Sequence, residues 1–266
     1  MVLVAQVTGR VGRCRGLFFF GRNHLNRIIT RISAAFFVTL MGGVVYARDL
    51  GVLVLPIHKG RLTSSLVYEN LKIQDDFDTR GRADFMANAV GAIFSYGITD
   101  QIALAVKGGA LVDPRVEAQG SAWESRAGYL YGMDLYNEVF PATKLRPGVQ
   151  LSGGATGFQV PLDRSNVSGT WQTIDQKMSG YEYHGAVVAT YKVGPTGPYG
   201  GVRGFASSVN WQDNQANPGV IKGHAHGHVS LVVGLPVQVS KDVRFIMEGR
   251  FVNETAVTVG LTVASF

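Results

Sequence analysis

From His228 to Ser240 the chain alternates in hydrophobicity. Val229, Leu231, Val233, Leu235, Val237 and Val239 share one parity, while His228, Ser230, Gly234, Gln238 and Ser240 take most of the other. A period of two marks a strand with one apolar and one mixed face. Ten such segments are predicted, at roughly 61–73, 84–98, 101–112, 126–138, 144–158, 179–192, 198–211, 224–239, 242–252 and 256–265. Each has ~10–16 residues, enough to cross a bilayer at the tilt of a barrel strand. Short connections at Gly97–Asp100, Val139–Ala142, Gly194–Gly197 and Ser240–Asp242 alternate with longer polar ones at 113–125, 159–178 and 212–223, and a shorter one at 74–83. The expected fold is all-β, a transmembrane antiparallel up-and-down β-barrel of about ten strands. An even count brings both termini to the periplasmic side. The first two segments alternate poorly, which predicts a bulge or a shifted boundary there.

The charge distribution supports a membrane address. Residues 1–47 hold Arg10, Arg13, Arg15, Arg22, Arg27 and Arg31 and no acid, so removing those six from 25 basic residues leaves 19, equal to the 19 acids. The net charge of +6 belongs to this leader, and a nucleic-acid partner is not implied. An apolar run from Ile32 to Val45 ends in Val45-Tyr46-Ala47, the pattern of a signal peptide cleaved near Ala47. The run is short for a transmembrane helix, which needs ~20 residues. Residues 48–60 are then a periplasmic lead-in, and 61–266 the barrel. The one cysteine, Cys14, lies in the leader, so the exported chain has no thiol for a disulfide or a metal. No glycine cluster precedes a helical pattern, and no cofactor is expected.

Parity assigns the faces. Ile102, Leu104, Val106, Tyr129, Tyr131, Met133, Leu135, Val243, Phe245, Met247 and Phe251 are expected to face lipid. Lys107, Arg126, Asp134, Glu138, Arg146, Glu182, Arg203, Arg244, Glu248 and Arg250 fall on the lumen side. A barrel of this size is only slightly wider than the eight-stranded one that side chains can fill. Paired charges of both signs therefore favour a plugged lumen. That makes the chain a structural or surface barrel, with a narrow passive channel for small solutes as the variant in which the same residues line a pore. Tyr96, Tyr129, Tyr191 and Trp211 suit interfacial girdles.

Phe94-Ser95-Tyr96-Gly97-Ile98-Thr99-Asp100-Gln101 resembles the strand–turn–strand junction of small Gram-negative outer-membrane β-barrel proteins. The ending Val257-Thr258-Val259-Gly260-Leu261-Thr262-Val263-Ala264-Ser265-Phe266 is similar to their closing strand with its terminal aromatic. The resemblance implies a cell outer membrane location, insertion by the barrel-assembly machinery, and contact with outer-membrane lipid and lipopolysaccharide. One departure stands out: Val257, Val259, Leu261 and Val263 are odd-numbered, whereas Phe266 is even.

Three further features bear on chemistry. His224, His226 and His228 recur at spacing two, and counting back from the Ser240–Asp242 turn brings His228 level with Glu254. A rim metal site of His224, His226, His228 and Glu254 is the sharp hypothesis. A solvated polar strand end is the plainer one, since the motif itself holds no acid. The His228-Val229-Ser230 triplet resembles the His-x-Ser pair of outer-membrane lipid A deacylases and implies an alternative function as a lipid hydrolase. Leu231 breaks the polar continuation of that pattern, and a non-enzymatic role is favoured. The acidic stretch Asp75, Asp76 and Asp78 with Arg80 and Arg82 lacks the glycine and distal glutamate of a calcium loop, and reads as a solvated surface loop.

Overall fold

The computed structural model describes Leu50, residues 57–213 and residues 219–265. The leader, its cleavage site and Phe266 lie outside the described residues. Twelve strands form one antiparallel sheet: β1 (Leu62–Phe77), β2 (Gly81–Gly97), β3 (Ile102–Ala118), β4 (Ser121–Glu124), β5 (Ala127–Phe140), β6 (Gly148–Val167), β7 (Thr170–Thr190), β8 (Tyr199–Asp213), β9 (Val220–Ala225), β10 (Val229–Gln238), β11 (Val243–Val252) and β12 (Glu254–Ser265). β4 and β5 follow one another between β3 and β6, and β9 and β10 follow one another along β8. Twelve segments thus make ten staves. β1 pairs with β12 from Leu62↔Ser265 to Ile73↔Glu254, which closes the ring.

The wall has two storeys. In the lower one all ten staves are present. There the outward residues are apolar and exposed, as Leu66, Tyr68, Val90, Phe94, Leu135, Val187, Leu231, Val233, Met247, Leu261 and Val263 are. Thr63, Ser65, Thr258 and Thr262 are buried within. This is the face pattern that lipid demands. The β11–β12 hairpin stops at Val252–Glu254, and Asn253 Nδ2 at its tip donates to the Val229 carbonyl (2.8 Å). Above that tip β9 pairs directly with β1, from Asp75↔Ala225 to Phe77↔Gly223. The far end is therefore an eight-stave ring, a size that side chains fill.

In the upper storey the faces exchange character. Outward on β1 and β2 come Asn70, Lys72, Gln74, Asp76, Asp84 and Arg82. Inward come Leu71, Ile73, Phe77 and Phe85, all buried. Val116, Trp123, Phe158, Val160, Leu162, Met178, Val209 and Trp211 complete this apolar filling. Water surrounds this part of the wall, so the core belongs inside, as in a soluble barrel. The exchange explains the poor alternation expected of the first two segments. β1 itself alternates in burial without a break. The one slip on β2, between Met86 and Asn88, places its extra residue on β3 beside Asp113 (φ 47°).

The predicted long loops are largely strand. Residues 113–125 and 159–178 form extended hairpins closed by Gln119-Gly120 (φ 51° and 78°) and Ser168-Gly169 (φ 54° and 86°). Both residues of each turn sit at positive φ, the type I′ geometry whose twist matches the flanking strands. Residues 74–83 are also mostly strand. The polar outward faces of these extensions made them look like loops. At the base, Leu50 and Ile57, expected in a periplasmic lead-in, are buried in the core cluster.

Candidate functional site in the lumen

The charged side chains predicted to face inward assemble into two clusters at the level of the lower storey. In the larger one Arg203 on β8 contacts Glu182 on β7, and its Nη1 donates to Glu254 Oε1 on β12 (3.1 Å). Arg250 on β11 contacts Glu69 on β1 and lies 3.4 Å from the other Glu254 oxygen and 3.9 Å from Glu248. Thr258 donates to Glu69 (2.7 Å), and the Tyr199 hydroxyl donates to Glu248 (2.5 Å). Arg203 is 0% exposed and Arg250 2%. Two guanidiniums thus meet four carboxylates drawn from β1, β7, β11 and β12. Burial of this many charges is tolerable because every one is paired and both guanidiniums bridge several carboxylates.

The second cluster centres on Asp134. Lys107 Nζ donates to both of its oxygens (3.0 and 2.8 Å), His184 Nε2 lies 3.1 Å from Oδ1, and the Tyr136 hydroxyl donates to Oδ2 (3.1 Å). Gly154 makes this possible, because a Cβ there would stand 2.0 Å from Asp134 Oδ1 and 2.3 Å from the Met133 carbonyl. Gly154→Ala should therefore cost about 1–3 kcal/mol by overpacking. Urea unfolding of the variant in micelles checks this, and an unchanged midpoint would reject the crowding.

Of the predicted lumen charges, Lys107, Asp134, Glu182, Arg203, Glu248 and Arg250 are buried inside, and Glu138 and Arg244 are half-buried on the same face. Arg126 and Arg146 are corrections. Arg126 is exposed in the break between β4 and β5, where parity slips. Arg146 lies in the exposed Thr143–Arg146 turn before β6, with Pro147 keeping it out of the strand. Glu69 was missed because its neighbours Leu71 and Ile73 made its parity look apolar. His184 on β7 belongs to the Asp134 cluster and is a further lumen group. Trp211, expected in a girdle, is wholly buried in the upper core.

The metal hypothesis does not survive the faces. Glu254 sits at the expected height but inside the lumen, held by both arginines, whereas His224, His226 and His228 are exposed. Among the described residues no group of three or more histidine, cysteine or acidic side chains is arranged to hold a metal. His226 Nδ1 instead donates to Asp76 Oδ2 (2.7 Å), and Arg82 Nε lies 3.5 Å from the other oxygen. The bond from His226 holds the Asp76 carboxyl below its usual range, reinforced by Arg82. The hydrolase pair is also apart: His228 is exposed with Nδ1 donating to the Phe205 carbonyl (3.2 Å), while Ser230 is 0% exposed beside Arg203. A shared accessible centre is absent from that geometry.

A closed ten-stave antiparallel barrel with an outward apolar belt is the fold of an outer-membrane β-barrel. Several solved structures are similar to this chain. The outer membrane protease OmpT of Escherichia coli matches at TM-score 0.50 and 9% identity, over 81% of this chain and 100% of that one. An outer membrane channel of Pseudomonas putida F1 matches at TM-score 0.40 and 10% identity, over 84% and 100%. OprG of Pseudomonas aeruginosa matches at TM-score 0.39 and 9% identity, over 79% and 99%. At such identities the likeness extends to the fold alone. No protein-family model and no curated protein matches the chain.

Proposed function

We propose that this chain is a sealed, non-enzymatic outer-membrane barrel with a structural or surface role. The observation that carries this reading is the Arg203–Arg250 network, which ties β1, β7, β8, β11 and β12 together through the lumen. The apolar filling above it and Leu50 below add to the seal. Leu50 Cδ1 lies only 2.5 Å from where a Cβ on Gly91 would stand, so Leu50 occupies space that the missing side chain leaves.

Residues 1–47 are the export leader in this reading, removed near Ala47, and the closing strand is what the barrel-assembly machinery receives. Above the apolar belt, outward Lys72, Arg82 and Arg115 alternate with Asp76, Asp84 and Glu117. That chemistry suits the phosphates and bridging cations of lipopolysaccharide. Single-channel recording on protein purified from outer membranes tests the proposal. A silent, folded barrel is expected, and discrete conductance steps would replace it with the narrow passive channel for small solutes.

A further inference from the structure

The upper mouth holds an arrangement that apolar filling alone does not explain. Trp123 and Trp211 meet edge to face, with centroids 4.7 Å apart and planes at 86°, and Phe77 stands 5.5 Å from Trp211 at 75°. Three rings thus form a corner of π faces and edges at the end of the barrel. Trp211 is fixed in it, since its indole N–H donates to Gln176 Oε1 (2.9 Å) and Gln176 Nε2 donates onward to Asp213 (2.9 Å).

The corner is occupied by the chain's own cation. Arg80 lies in the short turn between β1 and β2, and its Cζ sits 4.3 Å from the Trp211 centroid and 5.0 Å from that of Trp123. Among the described residues the Arg80 guanidinium makes no hydrogen bond and no ion pair. Ring faces and the field of Asp213 hold it. Partial burial pulls Arg80 below the ordinary guanidinium range, and Asp213 works in the opposite direction.

This is a poor match for arginine in one respect. A guanidinium carries five N–H donors, and rings offer them nothing equivalent to water. A quaternary ammonium has the same charge and similar bulk but no donor to leave unmet, and aromatic faces are its characteristic partner. We propose that the Phe77–Trp123–Trp211 corner is a binding site for a small water-borne quaternary ammonium compound, which enters by displacing Arg80. Arg80 is partly exposed in a turn above the apolar belt, so a ligand that displaces it arrives from the outer medium and not from the bilayer. Asp213 favours a plain cation over a zwitterion that carries a phosphate.

The chain has three tryptophans, and Trp171→Phe leaves tryptophan emission, excited at the red edge, only from Trp123 and Trp211. On that background, the full chain in a maltoside detergent is titrated with tetramethylammonium chloride against sodium chloride at equal ionic strength. A saturable fluorescence change is expected. Arg80→Ala removes the internal competitor and should tighten half-saturation about tenfold, the factor by which a cage free a tenth of the time weakens apparent affinity. Phosphocholine should bind more weakly than tetramethylammonium. Heat-modifiable gel migration verifies folding of each variant, and Arg80→Gln replaces Arg80→Ala if the latter does not fold. Absence of a saturable change in a folded Arg80 variant overturns the site. Equal affinity with and without Arg80 overturns the displacement.

Discussion

Arg203→Ala is expected to lose about 3–5 kcal/mol of stability, because Glu182 and Glu254 would remain buried without their shared cation. The loss is much larger than that of a surface pair, which is worth about 0–1 kcal/mol. Its origin is separable. The network is not expected to stabilise the barrel relative to a neutral lumen of equal volume; what costs so much is half of it. Arg203→Met combined with Glu182→Gln and Glu254→Gln should therefore recover most of the loss. Equilibrium urea unfolding in micelles measures both proteins. If Arg203→Ala unfolds at the parent's midpoint, water reaches these carboxylates and the lumen is not sealed at this level. If the triple variant is as weak as the single one, packing and not orphaned charge is what Arg203 supplies.

The ten staves, their order and most lumen charges were legible because lipid and lumen impose opposite chemistries on alternate residues. Met247, Glu248 and Arg250 on β11 obey that rule without exception. The rule reverses where the wall leaves the membrane, and there the inference from sequence stopped. Lys72, Gln74 and Asp76 looked like loop because a polar run outside lipid is also what an extended strand presents to water. Gln119-Gly120 and Ser168-Gly169 were the available signals for hairpins, since both dipeptides suit turns with positive φ. The histidine site failed for a related reason. Height along a strand follows from counting, but the slip at 226–228 turns the His224 and Ser230 sides of one stave to opposite faces, and pattern alone does not locate it. The Asp76–His226 bond joins positions 150 residues apart, which only ring closure brings together.

The two-storey wall itself predicts the second large effect. Phe85 is 0% exposed and its ring centroid lies 5.7 Å from that of Phe158, across the interior of the eight-stave mouth. In a water-filled channel an inward phenylalanine contributes almost nothing to folding, and truncating it relieves exposed apolar surface. In a packed core the same truncation leaves a cavity, and Phe85→Ala should cost about 3–5 kcal/mol. On the outer face the sign of the argument reverses with height. Leu66 lies in the apolar belt, so Leu66→Arg should cost about 2–4 kcal/mol near the bilayer midplane. Gln74, eight positions on along the same strand, points outward above the belt, where Gln74→Arg should change stability by less than about 0.5 kcal/mol. Urea unfolding in phospholipid vesicles compares the three. A negligible loss for Phe85→Ala would mean a wet mouth, and equal losses at Leu66 and Gln74 would mean that lipid reaches the full height of β1. The expected order, Phe85 and Leu66 large and Gln74 small, holds only if the strand trades a lipid-facing apolar side for a core-facing one between Tyr68 and Leu71.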